Sequence, residues 1–241
     1  EIYTLSLHDA LPILVIITRN RAGYFAYLNP NYLGSIVMLA AIINLYFFFE
    51  KKSKINFIIF ILNIITILMS GSRTALAAVA AGILVLFYFY LEKKYFIGCI
   101  CLFIGYIIGI YFGRVPFLRL DSLAEYFKLR KDIIKIALGI LKKTNILYGH
   151  GNFYYYKYTN YVYPHSHNVL MESLLSYGLV GTVALAGVFL KYLYEVIKGN
   201  KRNTLKIALL AGIIVHNSAD FTIFWIQTIT KIGRASCRER V

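Results

Sequence analysis

The amino-acid sequence predicts an all-α fold: a polytopic membrane helix bundle with a long helical extracytoplasmic loop between two spans. Of its 241 residues, 59% are hydrophobic, and the mean hydropathy is +0.64. A soluble domain of this length could not cover so much apolar surface. The apolar residues also form continuous blocks, several of which approach the roughly 20 residues that a helix needs to cross a bilayer.

Six apolar blocks mark the expected spans: Tyr32–Phe49, Ile55–Met69, Ala75–Leu91, Tyr95–Phe112, Leu179–Val196 and Leu205–Val215. At a rise of about 1.5 Å per residue, the first block makes a helix of about 27 Å, enough for the hydrocarbon core. Ile55–Met69 is short for a span and requires local thinning of the bilayer or help from its flanks. The length and continuity of the blocks exclude the alternating strands of an outer-membrane barrel.

Short loops rich in lysine set the expected orientation. The positive-inside rule places three of them in the cytoplasm: Lys51–Lys54, Lys93–Lys94 and Lys198–Arg202. An even number of spans separates each pair of these loops, so one orientation satisfies all three. The remaining polar segments then face outward: Asn29–Asn31, Arg73, residues 113–168 and the region after Val215.

The net charge of +15 has two membrane explanations, and neither needs nucleic acid as a partner. One is the positive-inside bias of the short loops. The other is an electropositive surface for an anionic substrate. The outward segment 113–167 carries nine Lys and Arg residues against three acids. Long loops cross the membrane largely regardless of charge, so this surplus does not by itself decide between the two explanations.

Within that segment, residues Leu123–Lys143 have the pattern of an amphipathic helix. At 100° per residue the apolar residues share one broad arc, and most lysines occupy the other. Arg130 falls near the centre of the apolar arc and is its only charge. Either its aliphatic part covers apolar surface while the guanidinium reaches water, or the guanidinium points inward and binds an anion. We favour the second interpretation, because no nearby acid shares the arc.

A polar, imidazole-rich corner precedes the next apolar helix, in the stretch Tyr163-Pro164-His165-Ser166-His167-Asn168. Ionisable groups at a membrane surface are expensive unless they have a function. Imidazole titrates near neutral pH, so His167 is a candidate general base or orienting group. The alternative is that the corner only caps the helix, which Asn168 could do alone. We expect His165 to line the path of an acceptor.

A second polar pair, His216 and Asp220, follows the last apolar block. The two residues are four apart and therefore share a helix face. The pair either orients an imidazole or holds an acceptor, or it is a mutually satisfied pair that closes the helix end.

Taken in order, these motifs resemble the O-antigen ligase and polymerase superfamily. His167 and Asn168 are followed by nine residues and then by Gly178-Leu179-Val180-Gly181, which is similar to the central motif of that superfamily. The remaining similar motifs are Ser70–Thr74, Arg21–Asn31 with Tyr24 where glycine is more usual, Arg130 followed by Tyr148–Gly151, and His216 with Asp220.

The resemblance implies a multi-span enzyme of the bacterial cytoplasmic membrane, active at its outer face. Such an enzyme takes glycan from an undecaprenyl-pyrophosphate carrier and transfers it, with inversion and without a metal, to a hydroxyl of a glycan, lipid or protein. It requires no cofactor. Whether this chain ligates, polymerises or glycosylates protein stays open.

If the donor is the carrier that the resemblance implies, we expect Arg73 and Arg130 to bind its pyrophosphate, because the planar guanidinium makes bidentate bonds to phosphate and stays charged. No cluster of acids is available to hold a divalent metal instead. His167 would remove the acceptor proton. We expect the substrate-binding set to be His165, Asn168, His216 and Asp220.

Two other classes of function are compatible with parts of the sequence. A transporter of an anionic solute should carry charges near the middle of the bilayer, whereas here they cluster at the ends of the spans. A non-catalytic subunit of a polysaccharide-assembly complex would use the histidine corner only as a cap.

Both ends of the chain look foreign to this pattern. Residues 1–13 and 231–241 resemble translated sequencing-adapter sequence, and the second of them is rich in arginine. We therefore expect the membrane domain to comprise residues 14–230, with its extracytoplasmic loop at 113–168.

Overall fold

The computed structural model describes residues 30–112, 123–160, 162–163, 165–199 and 203–220. Their secondary structure is helical throughout, which confirms the all-α prediction. The helices are α1 (Pro30–Lys51), α2 (Lys54–Ser70), α3 (Arg73–Tyr90), α4 (Lys93–Tyr111), α5 (Leu123–Lys143), α6 (Tyr154–Tyr158), α7 (Val169–Lys198) and α8 (Thr204–Ala219). The adapter-like ends, the boundaries at residues 14 and 230, and the motif residues Arg21 to Asn29 lie outside the described residues.

Three of these helices are long and apolar enough to cross a membrane, and they contain the residues Asn31–Lys51, Arg73–Tyr90 and Val169–Lys198. Helices α2 and α8 are apolar but shorter. The chain is therefore a helical membrane protein. The observed helices overlap the six apolar blocks and extend most of them by a few residues at one or both ends.

The chain divides into two compact units. The first contains α1–α4 and α8 as far as Ile213. Its interior is formed by large apolar side chains that are almost fully buried: Leu33, Met38 and Ile42 of α1, Ile67 of α2, and Val79 and Leu86 of α3.

The turn between α2 and α3 follows from its sequence, Ser70-Gly71-Ser72-Arg73. Gly71 adopts a left-handed conformation (φ 66°) that ends α2, and its N–H donates to the carbonyl of Leu68. Ser72 then caps α3 by accepting a hydrogen bond from the N–H of Ala75 at 3.3 Å. The Ser72 hydroxyl also donates to Oδ1 of Asn31 at 2.8 Å, which fastens the turn to the start of α1.

The second unit contains α5, α6, α7 and residues 214–220. Its core joins one face of α5 (Ile133, Ala137, Ile140) to Tyr155 of α6 and Leu175 of α7. The hydroxyl of Tyr155 donates to the carbonyl of Ile133 at 3.1 Å, so this buried phenol is paired. The α5 lysines are exposed. Helix α5 begins and ends at the residues that the periodicity predicts.

Helix α7 is broken at Gly178, whose backbone angles are φ 68° and ψ −172°. A continuous helix would bond the N–H groups of Leu179 and Val180 to the carbonyls of Leu175 and Ser176. The break separates these groups, and a loop from the same unit satisfies all four. The bonds are Leu179 N–H to Ile146 O (2.7 Å), Val180 N–H to Leu147 O (3.1 Å), His150 N–H to Leu175 O (2.8 Å) and Gly151 N–H to Ser176 O (2.9 Å).

Two glycines make this junction possible. Gly149 and Gly178 both have a positive φ, and their backbones are in close contact. A Cβ atom on Gly149 would overlap the backbone nitrogen of Gly178, and one on Gly178 would overlap the carbonyl of Leu147. The glycine-rich loop (residues 146–151) is therefore fixed to the break in α7.

Candidate active site

The histidine turn, residues 165–168, lies at the start of α7 in the second unit. Asn168 is the N-cap: its Oδ1 accepts hydrogen bonds from the N–H groups of Leu170 (3.0 Å) and Met171 (3.1 Å). Its Nδ2 donates to the carbonyl of Ser218 at 3.0 Å. Both ends of the Asn168 amide therefore bind protein, and the expectation that it also contacts substrate stays a prediction.

His167 has an unusual backbone. Its φ is 53°, in the left-handed region that non-glycine residues rarely adopt, at a cost of order 1–3 kcal/mol. Its N–H donates to Nδ1 of His165 at 3.2 Å, and the two rings meet edge to face with centroids 4.1 Å apart. Because Nδ1 of His165 accepts this hydrogen bond, the ring proton of neutral His165 lies on Nε2.

One carboxylate faces both imidazoles. Oδ1 of Asp220 lies 3.4 Å from Nδ1 of His167 and 4.0 Å from Nε2 of His165, and the Asp220 side chain is only 2% exposed. Asp220 also acts electrostatically on His216, which is fully buried. The sequence places Asp220 and His216 together, but it does not reveal that the carboxylate is shared with the histidine turn.

The two imidazoles differ in their surroundings. Burial lowers the pKa of His165 to about 4, the positive charges of His167 and Arg130 lower it further, and Asp220 acts in the opposite direction. His165 is therefore neutral near pH 7. The side chain of His167 is 19% exposed, so it is the more accessible of the two.

Arg130 of α5 reaches the same turn. Its Nη1 donates to the carbonyl of Ala219 at 2.7 Å and, more weakly, to that of His167 at 3.5 Å. The half-buried guanidinium thus connects α5 with the histidine turn and the end of α8. Both of these partners are backbone carbonyl oxygens.

Arg73 belongs to the first unit. It is the first residue of α3, directly after the Ser72 cap, and it is half-buried. Its approach to the histidine turn stays a prediction, as does substrate contact by His165 and His216.

His165, His167 and Asp220 are also the side chains that could hold a metal ion in the part of the chain that the structure describes. Their ligand atoms lie within 4.8 Å of one another. A histidine that binds a metal through Nε2 normally donates the proton on Nδ1 to a partner. Here Nδ1 of His165 is an acceptor, so its Nε2 carries the proton and has no lone pair for a metal.

One residue of this site was not found by sequence reasoning. Glu172, in the first turn of α7, is 3% exposed and accepts a hydrogen bond from the N–H of Ser166 at 2.8 Å. The signal in the sequence is an acid five residues after His167, directly after the apolar residues that begin α7, a position where charge is expensive.

The family model of the O-antigen ligases matches residues 58–186, from α2 to the middle of α7. The matched segment contains Arg73, Arg130 and the histidine turn, whereas Asp220 lies beyond it. No curated protein matches the chain. Because the family match covers more than half of the sequence, the chain belongs to the O-antigen ligase family.

Proposed function

We propose that this chain is a membrane glycosyltransferase that moves glycan from an undecaprenyl-pyrophosphate carrier to an acceptor hydroxyl at the outer face of the bacterial cytoplasmic membrane. Family membership and the apolar helices support a ligase-type or polymerase-type membrane function in general. The observation that carries the proposal is the pairing of His167, partly exposed, with the buried carboxylate of Asp220.

In this proposal His167 is the general base. Donation from its Nδ1–H to Asp220 leaves the lone pair of Nε2 for the acceptor hydroxyl. The hydroxyl oxygen bonds to the anomeric carbon as its proton passes to Nε2. The bond between that carbon and the pyrophosphate oxygen breaks, and its electron pair leaves with the carrier. Asp220 stabilises the imidazolium that forms.

Neutral His165 assists this step indirectly. Because the pKa of His165 is low, its imidazole carries no positive charge that would compete with His167 for Asp220. The carboxylate therefore acts on His167. The hydrogen bond from the N–H of His167 to His165 fixes the angle at which the turn enters α7.

In this proposal Arg130 and Arg73 bind the leaving group, the pyrophosphate of the carrier. Arg130 lies beside the turn, where it donates to the carbonyls of His167 and Ala219. We assign it, with Arg73, to the pyrophosphate, whose negative charge increases as the bond to the sugar breaks. Guanidinium groups in this role replace a divalent metal.

The test measures release of undecaprenyl pyrophosphate by the protein in vesicles that contain a lipid-linked glycan and an acceptor. We expect His167→Ala and Arg130→Lys each to lower transfer by about a hundredfold or more. The matched control is His150→Ala: His150 is in the same unit, but its side chain is exposed and stacks on the ring of Tyr154. Normal transfer by both His167→Ala and Arg130→Lys would refute this mechanism.

The same assay separates the other classes. A transporter or a non-catalytic assembly subunit would release no carrier pyrophosphate in any variant. Acceptors of defined chemistry, namely a lipid core, a repeat-unit glycan and a protein hydroxyl, then distinguish ligation, polymerisation and protein glycosylation.

A further inference from the structure

The buried carboxylate of Glu172 has a specific contact. Its Oε2 accepts the N–H of Ser166, the residue between the two histidines, at 2.8 Å, and both residues are almost completely buried. A buried carboxylate is expensive to keep in an apolar helix unless it is paired. The contact therefore needs a reason beyond the formation of α7.

Capping of α7 does not require Glu172. Oδ1 of Asn168 already satisfies the N–H groups of Leu170 and Met171, and the carbonyl of Asn168 accepts the N–H of Glu172 itself at 3.0 Å. The side chain of Glu172 reaches past these bonds to the residue two positions before the cap. The hydrogen bond of Glu172 thus stabilises the histidine turn and is not needed to cap α7.

The turn does need an external support. A residue in the left-handed region, such as His167, stays there only when its surroundings fix it. On one side the Ser166 hydroxyl donates to the carbonyl of Asn168 at 3.2 Å. On the other side the Ser166 N–H is held by Glu172. These two bonds fix the residue that separates the two imidazoles.

We propose that Glu172 is a positioning residue that, by accepting the N–H of Ser166, holds His167 in its left-handed conformation and sets which nitrogen of each imidazole faces Asp220. The proposal rests on the proposed function only in its expected effect on the rate of glycan transfer. Its structural content, the tautomer of His165 and the orientation of His167, holds whether or not the protein transfers glycan.

The test uses two substitutions that separate the effect of the length of the Glu172 side chain from the effect of its negative charge. Glu172→Gln keeps an oxygen acceptor at the same reach but removes the charge. Glu172→Asp keeps the charge but shortens the side chain by one methylene. The same pair at Glu195, an exposed acid near the other end of α7, is the matched control. All variants are made in the whole chain.

The first measurement is the ¹⁵N NMR spectrum of the histidine side chains, with the His165 signals assigned from a His165→Gln variant. The wild type, Glu172→Gln and both Glu195 variants should show His165 with its proton on Nε2. Glu172→Asp should show an average of the two tautomers, because the N–H of His167 no longer stays on Nδ1. Retention of the wild-type tautomer in Glu172→Asp, or its loss in Glu172→Gln, overturns the proposal.

The second measurement is the rate of glycan transfer. Glu172→Asp should lower kcat by about a hundredfold, the usual effect of misplacing a catalytic group by about 1 Å, with KM for the donor within about twofold. Glu172→Gln should stay within about threefold of the wild type, since a tenfold change corresponds to the loss of a full hydrogen bond. If the wild type transfers no glycan, the proposed function fails, and the NMR result alone decides the role of Glu172.

Discussion

Gly178 offers a quantitative test of the junction between α7 and the glycine-rich loop, through the substitution Gly178→Ala. The backbone there (φ 68°, ψ −172°) lies in a region that is essentially restricted to glycine, so strain alone costs about 1–3 kcal/mol. The new Cβ would also overlap the carbonyl of Leu147. Relief of that overlap requires the loop to move away.

Movement of the loop breaks backbone hydrogen bonds that nothing else replaces. Four of them cross the junction, each with a net contribution of about 1 kcal/mol. Loss of two with the strain gives about 3–5 kcal/mol, a large part of the 5–15 kcal/mol that stabilises a typical domain. For a chain of this size, 1 kcal/mol shifts Tm by about 2–4 °C, so we expect a decrease of about 10 °C.

The assay is thermal unfolding in detergent, with limited proteolysis to detect release of the loop. The matched control is Gly187→Ala, in the same helix, where an added Cβ would meet no heavy atom within 4 Å. That substitution should leave Tm unchanged or raise it slightly, because alanine favours helix. A Tm for Gly178→Ala equal to that of the Gly187→Ala control would refute the reasoning. Gly149→Ala should destabilise similarly, and the double variant should cost little more than either change alone.

Three further predictions concern the site and the first unit. The pKa of His165 in the folded protein, about 4, is below the ordinary histidine value of 6.5 that applies to an unfolded chain, so between these values the unfolded state binds more protons. The contribution of His165 to stability should therefore be constant above about pH 6.5 and fall by up to about 3 kcal/mol as the pH approaches 4. Denaturant unfolding should show a loss of stability over this range that is larger in the wild type than in His165→Gln by this amount. Asp220→Asn should lower kcat by about 10²–10⁴ with little change in KM, because His167 loses the group that orients it and stabilises its charge. A wild-type kcat in this variant would exclude a catalytic role for the pairing of His167 with Asp220. Ser72→Ala should lower the free energy of unfolding by about 1 kcal/mol through loss of the α3 cap, and an unchanged denaturation midpoint would contradict that role.

The regular parts of this fold are predictable from sequence because their causes are local. Five of the six apolar blocks match a helix to within four residues at each end, whereas α7 begins ten residues before its block. The bounds of α5 follow from its 3.6-residue periodicity, which matches the buried face of Ile133, Ala137 and Ile140.

The sequence indicates candidate residues for the site but not how they pair. Residue type and spacing indicate His167 and Asp220 as functional, but the two are 53 residues apart, and only the folded chain shows which imidazole the carboxylate pairs with. The break in α7 could not be read from the sequence either, because it depends on backbone hydrogen bonds to a loop about 30 residues away, and such bonds leave no pattern in side chains. Glu172 was missed because its partner is a backbone N–H.

The contact between Gly149 and Gly178 limits how the sequence can change. In most packed pairs a larger residue on one side is tolerated when the other side becomes smaller. Here neither partner has a side chain to lose, and the atoms that a new methyl group would meet belong to the main chain. A substitution at one glycine therefore cannot be compensated by a substitution at the other. Each glycine has to be retained whatever residue occupies the other position.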